Sequence, residues 1–504
     1  MGEGGVVGAF SNAESVLCRR LFLRLLGLVY FIAFVSLAVQ VTGLIGADGL
    51  RPAAARFERA REVLGGVDLL RLPTVFWLGA SDGALVLTSW AGAATAVALM
   101  LGLAPLACLV VLWALYLSFA GIGSPFLGYQ WDALLLETGF LALFWAPARL
   151  RLDDPRAPAP STIVLWLFRW LVFRLMFFSG WVKLASGDPT WWDLTALEYH
   201  YWTQPLPAWT SWYAAHLPTA VQKLSCALTF VIELALPFLI PFGRRARAIA
   251  CTGFVALQVI IGATGNYGFF NLLSVALCVT LLDDAQLRAL LPGRFRRASV
   301  APIAVAKSPS VLRVGASVAV AVLLILLTVP SSLSRALGRR GAWETASAPL
   351  AEWTGPFSLT SGYGLFAVMT TTRPEVVIEG SDDGEAWAPY VFRWKPGPLG
   401  RAPSFVQPHM PRLDWQMWFD GLYIERMLET GQRGFDAVTP SLLESLRRGS
   451  AEVLALLESD PFAGRPPRYV RWLLYQYRFT DAAERERTRD WWKRTLVHTS
   501  DAMG

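Results

Sequence analysis

Two stretches constrain this chain more than any other: "LFLRLLGLVYFIAFVSLAVQVTGLI", beginning at Leu21, and "VLRVGASVAVAVLLILLTVP", ending at Pro330. As helices rising 1.5 Å per residue, each crosses the roughly 30 Å hydrocarbon layer of a bilayer. Water is absent there, so backbone amides must be satisfied within the run itself, which selects helix. The first run is too long for a signal-peptide core and no small-residue cleavage site follows it, so it reads as a retained span. Further apolar runs bring the expected spans to nine, near 21–45, 82–101, 103–122, 129–147, 163–184, 223–242, 247–263, 267–282 and 311–330. The 247–282 pair also fits a re-entrant hairpin. Only 16% of the 504 residues are charged, against roughly 25% in a soluble chain. A polytopic membrane protein is therefore expected.

Arginine placement sets the expected orientation. Arg19 and Arg20 precede the first span, and Arg149, Arg151 and Arg156 follow the fourth. Arg244, Arg245 and Arg247 follow the sixth, and Arg288, Arg294, Arg296 and Arg297 follow the eighth. With nine spans these clusters share one side, which the positive-inside rule makes cytoplasmic. Residues 46–81 conflict with this, carrying Arg51, Arg56, Arg59, Arg61 and Arg71 on the other side; interspersed acids make the segment an amphipathic surface helix. The net charge of +7 is thus a matter of topology rather than of nucleic-acid binding.

Beyond Pro330 the character changes. Residues 343–420 carry short alternating runs, and "EVVIEGSDDGEAWAPYVFRW" reads as two strands joined at Asp-Asp-Gly. Residues 411–458 and 468–495 read as helical, parted by "DPFAGRPPR". The expected architecture is a helical membrane domain, 1–335, followed by a soluble α+β domain, 336–504. The latter would have a β-sandwich-like or antiparallel sheet core and C-terminal helices, and would lie outside the cytoplasm.

Ionisable residues at membrane depth cost several kcal/mol unless paired or solvated, so they mark candidate sites. Glu137 lies about 12 Å below the outer end of its run, and Arg174 and Glu233 about 15 Å below theirs. Asp132 and Lys183 share a shallower level, and Asn266 and Asn271 mark an outer tip. Together they predict a polar cavity opening outward. Between the fifth and sixth runs "KLASGDPTWWDLTALEYHYWTQPLPAW" would lie at its mouth as a short interfacial helix capped by Asp188, with Trp191, Asp193 and His200 among its polar and aromatic residues. No spacing of His, Cys or acids matches a metal site, and no cofactor is implied. "GASDG" matches a nucleophile elbow but opens a membrane helix, and "FSGWVKL" is not a Ser-x-x-Lys arrangement.

Seven ordered blocks resemble the lipase maturation factor family: "YQWDALLLETGFLALFWAP", "RWLVFRLMFFSGWVKL", "WWDLTALEYHYWTQPLP", "GNYGFFNLLSVALCVTLLDD", "YGLFAVMTTTRPEVVIEGSDDGEAWAPYVFRWKPG", "RLDWQMWF" and "DPFAGRPPRYVR". The resemblance implies a multi-pass protein that assists secreted lipases to fold and assemble without being a lipase. It places eukaryotic members in the endoplasmic reticulum, with clients bound through the C-terminal region. The few cysteines and missing sequons fit a bacterial member in the cytoplasmic membrane, facing exported clients. Trp343, Trp353, Tyr363, Trp387, Trp415 and Trp418 are then the candidate client face, and membrane lipid the other partner. A fainter similarity links "FFSGWVKLASGDPTWWDL" to membrane domains related to vitamin K-dependent gamma-carboxylase. That similarity puts Lys183 at a catalytic base, with Asp193 where the pattern has glycine. The alternative it implies is an integral-membrane enzyme acting on a lipid or hydrophobic cofactor, with Glu137, Arg174 and His200 lining the site.

Overall fold

The computed structural model describes residues 12–290, 310–339, 341–431 and 437–504. Nine apolar stretches are helical, in chain order α1 (Val16–Ala38), α2 (Asp82–Met100), α3 (Pro105–Ile122), α4 (Gln130–Trp145), α5 (Thr162–Ala185), α6 (Thr219–Leu239), α7 (Gly243–Thr264), α8 (Phe270–Leu281) and α9 (Val311–Leu337). All but α4 and α8 are long and apolar enough to cross a membrane. Because α7 has 22 residues, the 247–282 pair is a full-length helix followed by a short one rather than a symmetric hairpin.

One end of the bundle is tied together by charge. The Asp284 carboxylate accepts from the Leu17 and Cys18 amides, both at 2.9 Å, satisfying open donors in the first turn of α1. Asp153 pairs with Arg24 at 2.6 Å and Arg20 at 3.2 Å, and Asp283 pairs with Arg244 at 3.2 Å. The arginines in the first turns of α1, after α4, after α6 and at Arg288 therefore gather at one end. Arg294, Arg296 and Arg297 lie outside the described residues.

The C-terminal region sits at the opposite end. Its sheet has the order β3-β2-β1-β4-β5, all antiparallel: β1 (Pro374–Ser381), β2 (Ala388–Phe392), β3 (Leu457–Ser459), β4 (Tyr469–Phe479) and β5 (Trp492–Thr499). The hairpin expected at Asp-Asp-Gly is present, with Ile378 opposite Tyr390. The Asp383 carboxylate accepts from the Glu385 and Ala386 amides across the turn, which holds its pKa below the usual range. Helix α10 (Arg412–Thr430) lies on β1, and contact is closest at Gly421, where an added Cβ would stand 2.3 Å from the Pro374 carbonyl oxygen.

Three expectations are corrected here. Residues 468–495 are β4, a seven-residue helix (Ala482–Thr488) and the start of β5. "YVRWLLYQYRF" is rich in residues that favour pleated, half-buried positions, and its partners Pro374–Ser381 lie about ninety residues upstream, where no local periodicity reports them. Within 343–420 only β1 and β2 are strands among the described residues; Ala342–Thr354 is helical. The interfacial segment is two short helices, Pro189–Trp192 and Ala196–Thr203, parted at Leu194, which has a left-handed φ of 58°.

The arginine-rich stretch contains the expected surface helix, Ala53–Leu64. Just before it, Arg51 donates to the Ala437 carbonyl at 2.8 Å. At least one of these arginines thus holds the C-terminal region.

Candidate functional site

Helix α4 presents Glu137 and α5 presents Arg174 at the same level, and they pair at 2.5 Å, both almost fully buried. The rest of their valence is met from the C-terminal region. Glu137 accepts from the Tyr363 hydroxyl at 2.6 Å and the Ser361 amide at 3.1 Å, while Arg174 donates to the Ser361 carbonyl at 2.6 Å. Such completion is what makes a buried ion pair tolerable.

Glu233, at the same expected depth as Arg174, pairs instead with Lys183, at 2.7 Å. The geometry comes from two local features. Val231–Ala235, which holds Glu233, winds as a π-type turn inside α6 and packs against α5. On α5, Gly180 leaves room: a Cβ there would lie 2.8 Å from the Glu233 Cβ. Lys183 Nζ also donates to the Ser179 carbonyl at 2.8 Å and lies 5.3 Å from the centre of the Trp191 ring. The ammonium is thus held by a carboxylate, a carbonyl and an aromatic face.

At the N-terminal end of α4, Asp132 receives both arms of the Arg412 guanidinium, at 2.8 and 3.1 Å, and the Tyr116 hydroxyl at 2.5 Å. The sequence pattern does not single out Arg412; it sits in a helix start, "PRLDWQMW", of ordinary surface type. Its fork matches a carboxylate in two parallel bonds.

The segment linking α5 to α6 makes the same kind of contact. Asp188 caps its helix by accepting from the Thr190 amide at 2.8 Å, and its second oxygen accepts from the Met369 amide at 2.6 Å. Trp191 Nε1 donates to the Phe366 carbonyl at 3.0 Å. The His200 ring meets the Phe366 ring edge-on at 4.8 Å, and its Nε2 lies 3.3 Å from the Tyr267 hydroxyl. Burial first, and then the nearby Lys183 ammonium, push the imidazole pKa down to about 4. Asp193 is exposed. Asn266 donates to the Ser404 carbonyl and accepts from the Val406 and Gln407 amides, each at 2.8–3.2 Å. Asn271 is buried, and its side-chain amide has no hydrogen-bond partner among the described residues.

A second polar cluster was not legible in the sequence. Arg373, fully buried, donates to the Trp202, Gln204 and Pro205 carbonyls and pairs with Glu375, whose other oxygen pairs with Lys395 at 2.7 Å. It fastens the sheet to the end of the interfacial segment.

The aromatic candidates divide by burial. Tyr363, Trp415 and Trp418 are buried in this junction; Trp415 Nε1 donates to the Asn266 carbonyl and Trp418 Nε1 to the Thr203 carbonyl. Trp343 and Trp387 are half-buried, and Trp353 is 61% exposed. Among the described residues, no three His, Cys or acidic side chains cluster as metal ligands do.

A multi-pass helical bundle thus carries a C-terminal α+β region bolted to it through buried charge, and the class defined is a multi-pass membrane protein. A model of the lipase maturation factor transmembrane domain matches residues 17–289, and one of the family's C-terminal domain matches residues 359–502. Lipase maturation factor 2 of Homo sapiens is 37% identical over 96% of this chain and 82% of its own length. The Gallus gallus protein of that name is 36% identical over 95% and 80%, and Lipase maturation factor 1 of Bos taurus is 32% identical over 95% and 87%. No solved structure matches. The chain belongs to the lipase maturation factor family.

Proposed function

We propose that this chain is a maturation factor for exported proteins, lipases among them, acting by holding partly folded clients rather than by chemistry on them. One observation carries the reading: Asp132, Glu137, Arg174 and Asp188 are engaged by residues of the C-terminal region. An anchor and a platform locked in this way suit a protein that must present a fixed surface. The full commitment of Lys183 Nζ to Glu233, Ser179 and Trp191 supports a structural lysine over a catalytic base.

In this reading residues 1–335 form the membrane domain and 336–504 an extracytoplasmic domain, with the arginine-rich end cytoplasmic. The membrane is the bacterial cytoplasmic membrane, or the endoplasmic reticulum in a eukaryotic host. The exposed Trp353 and the half-buried Trp343 and Trp387 supply aromatic surface of the kind enriched at interfaces.

The test is mass spectrometry of exported proteins in three strains: parent, deletion, and deletion restored with Lys183→Ala that still inserts. The expected result is a small set of proteins, lipases included, that lose abundance in the deletion without changing intact mass and return with Lys183→Ala. A changed mass that Lys183→Ala fails to restore would replace the holding role with catalysis.

A further inference from the structure

The open face of the sheet beside β5 carries a groove of about 450 Å³ that the junction does not use. Its floor is two cross-strand pairs, Gln476 opposite Thr495 and Arg478 opposite Lys493. Trp202 forms one wall. Like charges placed directly opposite on neighbouring strands destabilise a sheet, so the Arg478–Lys493 pair is a cost without an internal benefit. Lys493 has a counter-ion at the margin, Glu484 at 2.8 Å, and Glu425 holds Gln476 and Thr372 from the other side. Arg478 and Arg494 have no carboxylate within ion-pair distance among the described residues. Each is instead laid over an aromatic ring, Arg478 at 5.5 Å from Trp202 and Arg494 at 4.2 Å from Tyr475. Stacking of this kind pre-orients a guanidinium; Arg494 also donates to the Tyr477 hydroxyl at 3.0 Å, whereas Arg478 makes no side-chain hydrogen bond among the described residues.

Beside these cations β5 is an edge strand, with no further strand paired to it among the described residues. Lys493 to Val497 are exposed, and Leu496 and Val497 are each 50% exposed. The other edge strand, β3, has three residues. Exposed edges of this length invite an added strand.

We infer that this groove and edge bind an extended client segment in which acidic residues alternate with apolar ones. The segment lies along β5, its carboxylates on the face that holds Arg478 and Lys493 and its apolar side chains on the opposite face, which holds Leu496. A lipid headgroup fits less well, since the groove lining holds no Leu, Ile or Val to receive an acyl chain. The inference rests on the holding role proposed above.

The experiment uses the full chain in detergent and a fluorescein-labelled peptide of alternating Glu and Val, read by anisotropy, beside a matched Lys–Val peptide. The expected result is salt-sensitive binding of the Glu–Val peptide, weakened at least about tenfold by Arg478→Glu with Lys493→Glu, which in turn gains affinity for the Lys–Val peptide. That gain separates charge recognition from misfolding. Equal binding of both peptides to both proteins overturns the site, as does a variant that keeps the peptide but loses phosphatidylglycerol vesicles. In cells, a deletion without effect on exported proteins overturns the holding role itself. A deletion fully restored by the double variant overturns this site and leaves the holding role standing.

Discussion

Arg412, the first residue of α10, reaches the bundle and forks onto Asp132 in the first turn of α4, 280 positions earlier in the chain. Both side chains are at most 2% exposed. A carboxylate in the first turn of α4 and an arginine of the C-terminal region thus complete each other.

Breaking this fork from one side strands the other charge. Asp132→Leu or Arg412→Met alone is expected to destabilise the protein by about 3–5 kcal/mol, while the two together cost markedly less. Thermal unfolding of the full chain in detergent, run as a double-mutant cycle, measures the difference. Equal losses in the double and single variants would sink the idea.

Lys183 and Glu233 obey the same logic within the bundle. Lys183→Met should lower stability, and adding Glu233→Leu should recover most of the loss. If the double variant is as unstable as Lys183→Met, the pair is not the reason for the lysine.

Gly180 tests how α5 and α6 approach. A valine there must displace Glu233 or the backbone of α6, since even a Cβ would stand 2.8 Å from the Glu233 Cβ. Overpacking of this size costs about 1–3 kcal/mol, read as a lowered unfolding midpoint. An unchanged midpoint would mean that the helices part freely.

Acid should loosen the junction through histidine. His200 and His409 are each held near pKa 4 by burial, aided by Lys183 and Arg412 respectively, against about 6.5 when unfolded. Between those values the unfolded chain binds more protons, so stability is full above about pH 6.5 and falls toward pH 4. Each histidine contributes a slope of up to about 1.4 kcal/mol per pH unit. His200→Phe should flatten the profile of unfolding midpoint against pH over that window; an unaltered slope would show that the imidazole titrates freely.

Much of this site was visible in the amino-acid pattern, and the missing part has a physical cause. Glu137, Arg174, Lys183 and Glu233 stand out because charge is scarce in apolar runs, and the structure brings them into two ion pairs. What they face was hidden. Where a polar cavity is expected, Asp132 lines a pocket of about 360 Å³, and Ser361 and Tyr363 meet Glu137, Met369 meets Asp188 and Arg412 meets Asp132, from 181 to 280 residues away. Their own neighbourhoods look like ordinary turns and helix starts. Arg174 pairs with Glu137 and Glu233 with Lys183, a choice that helix depth alone cannot make. The strand β4 was misread for the same reason, its identity residing in β1.

The Asp132–Arg412 contact also sets a clock. Residues enter a membrane in the order in which they are made, and at about 5–20 residues per second the 280 positions between these two take on the order of tens of seconds to synthesise. Through that interval Asp132 and Glu137 wait in a half-built bundle without the groups that will complete them. A factor whose relatives are named for helping others mature must itself wait, during its own synthesis, for its last third to arrive.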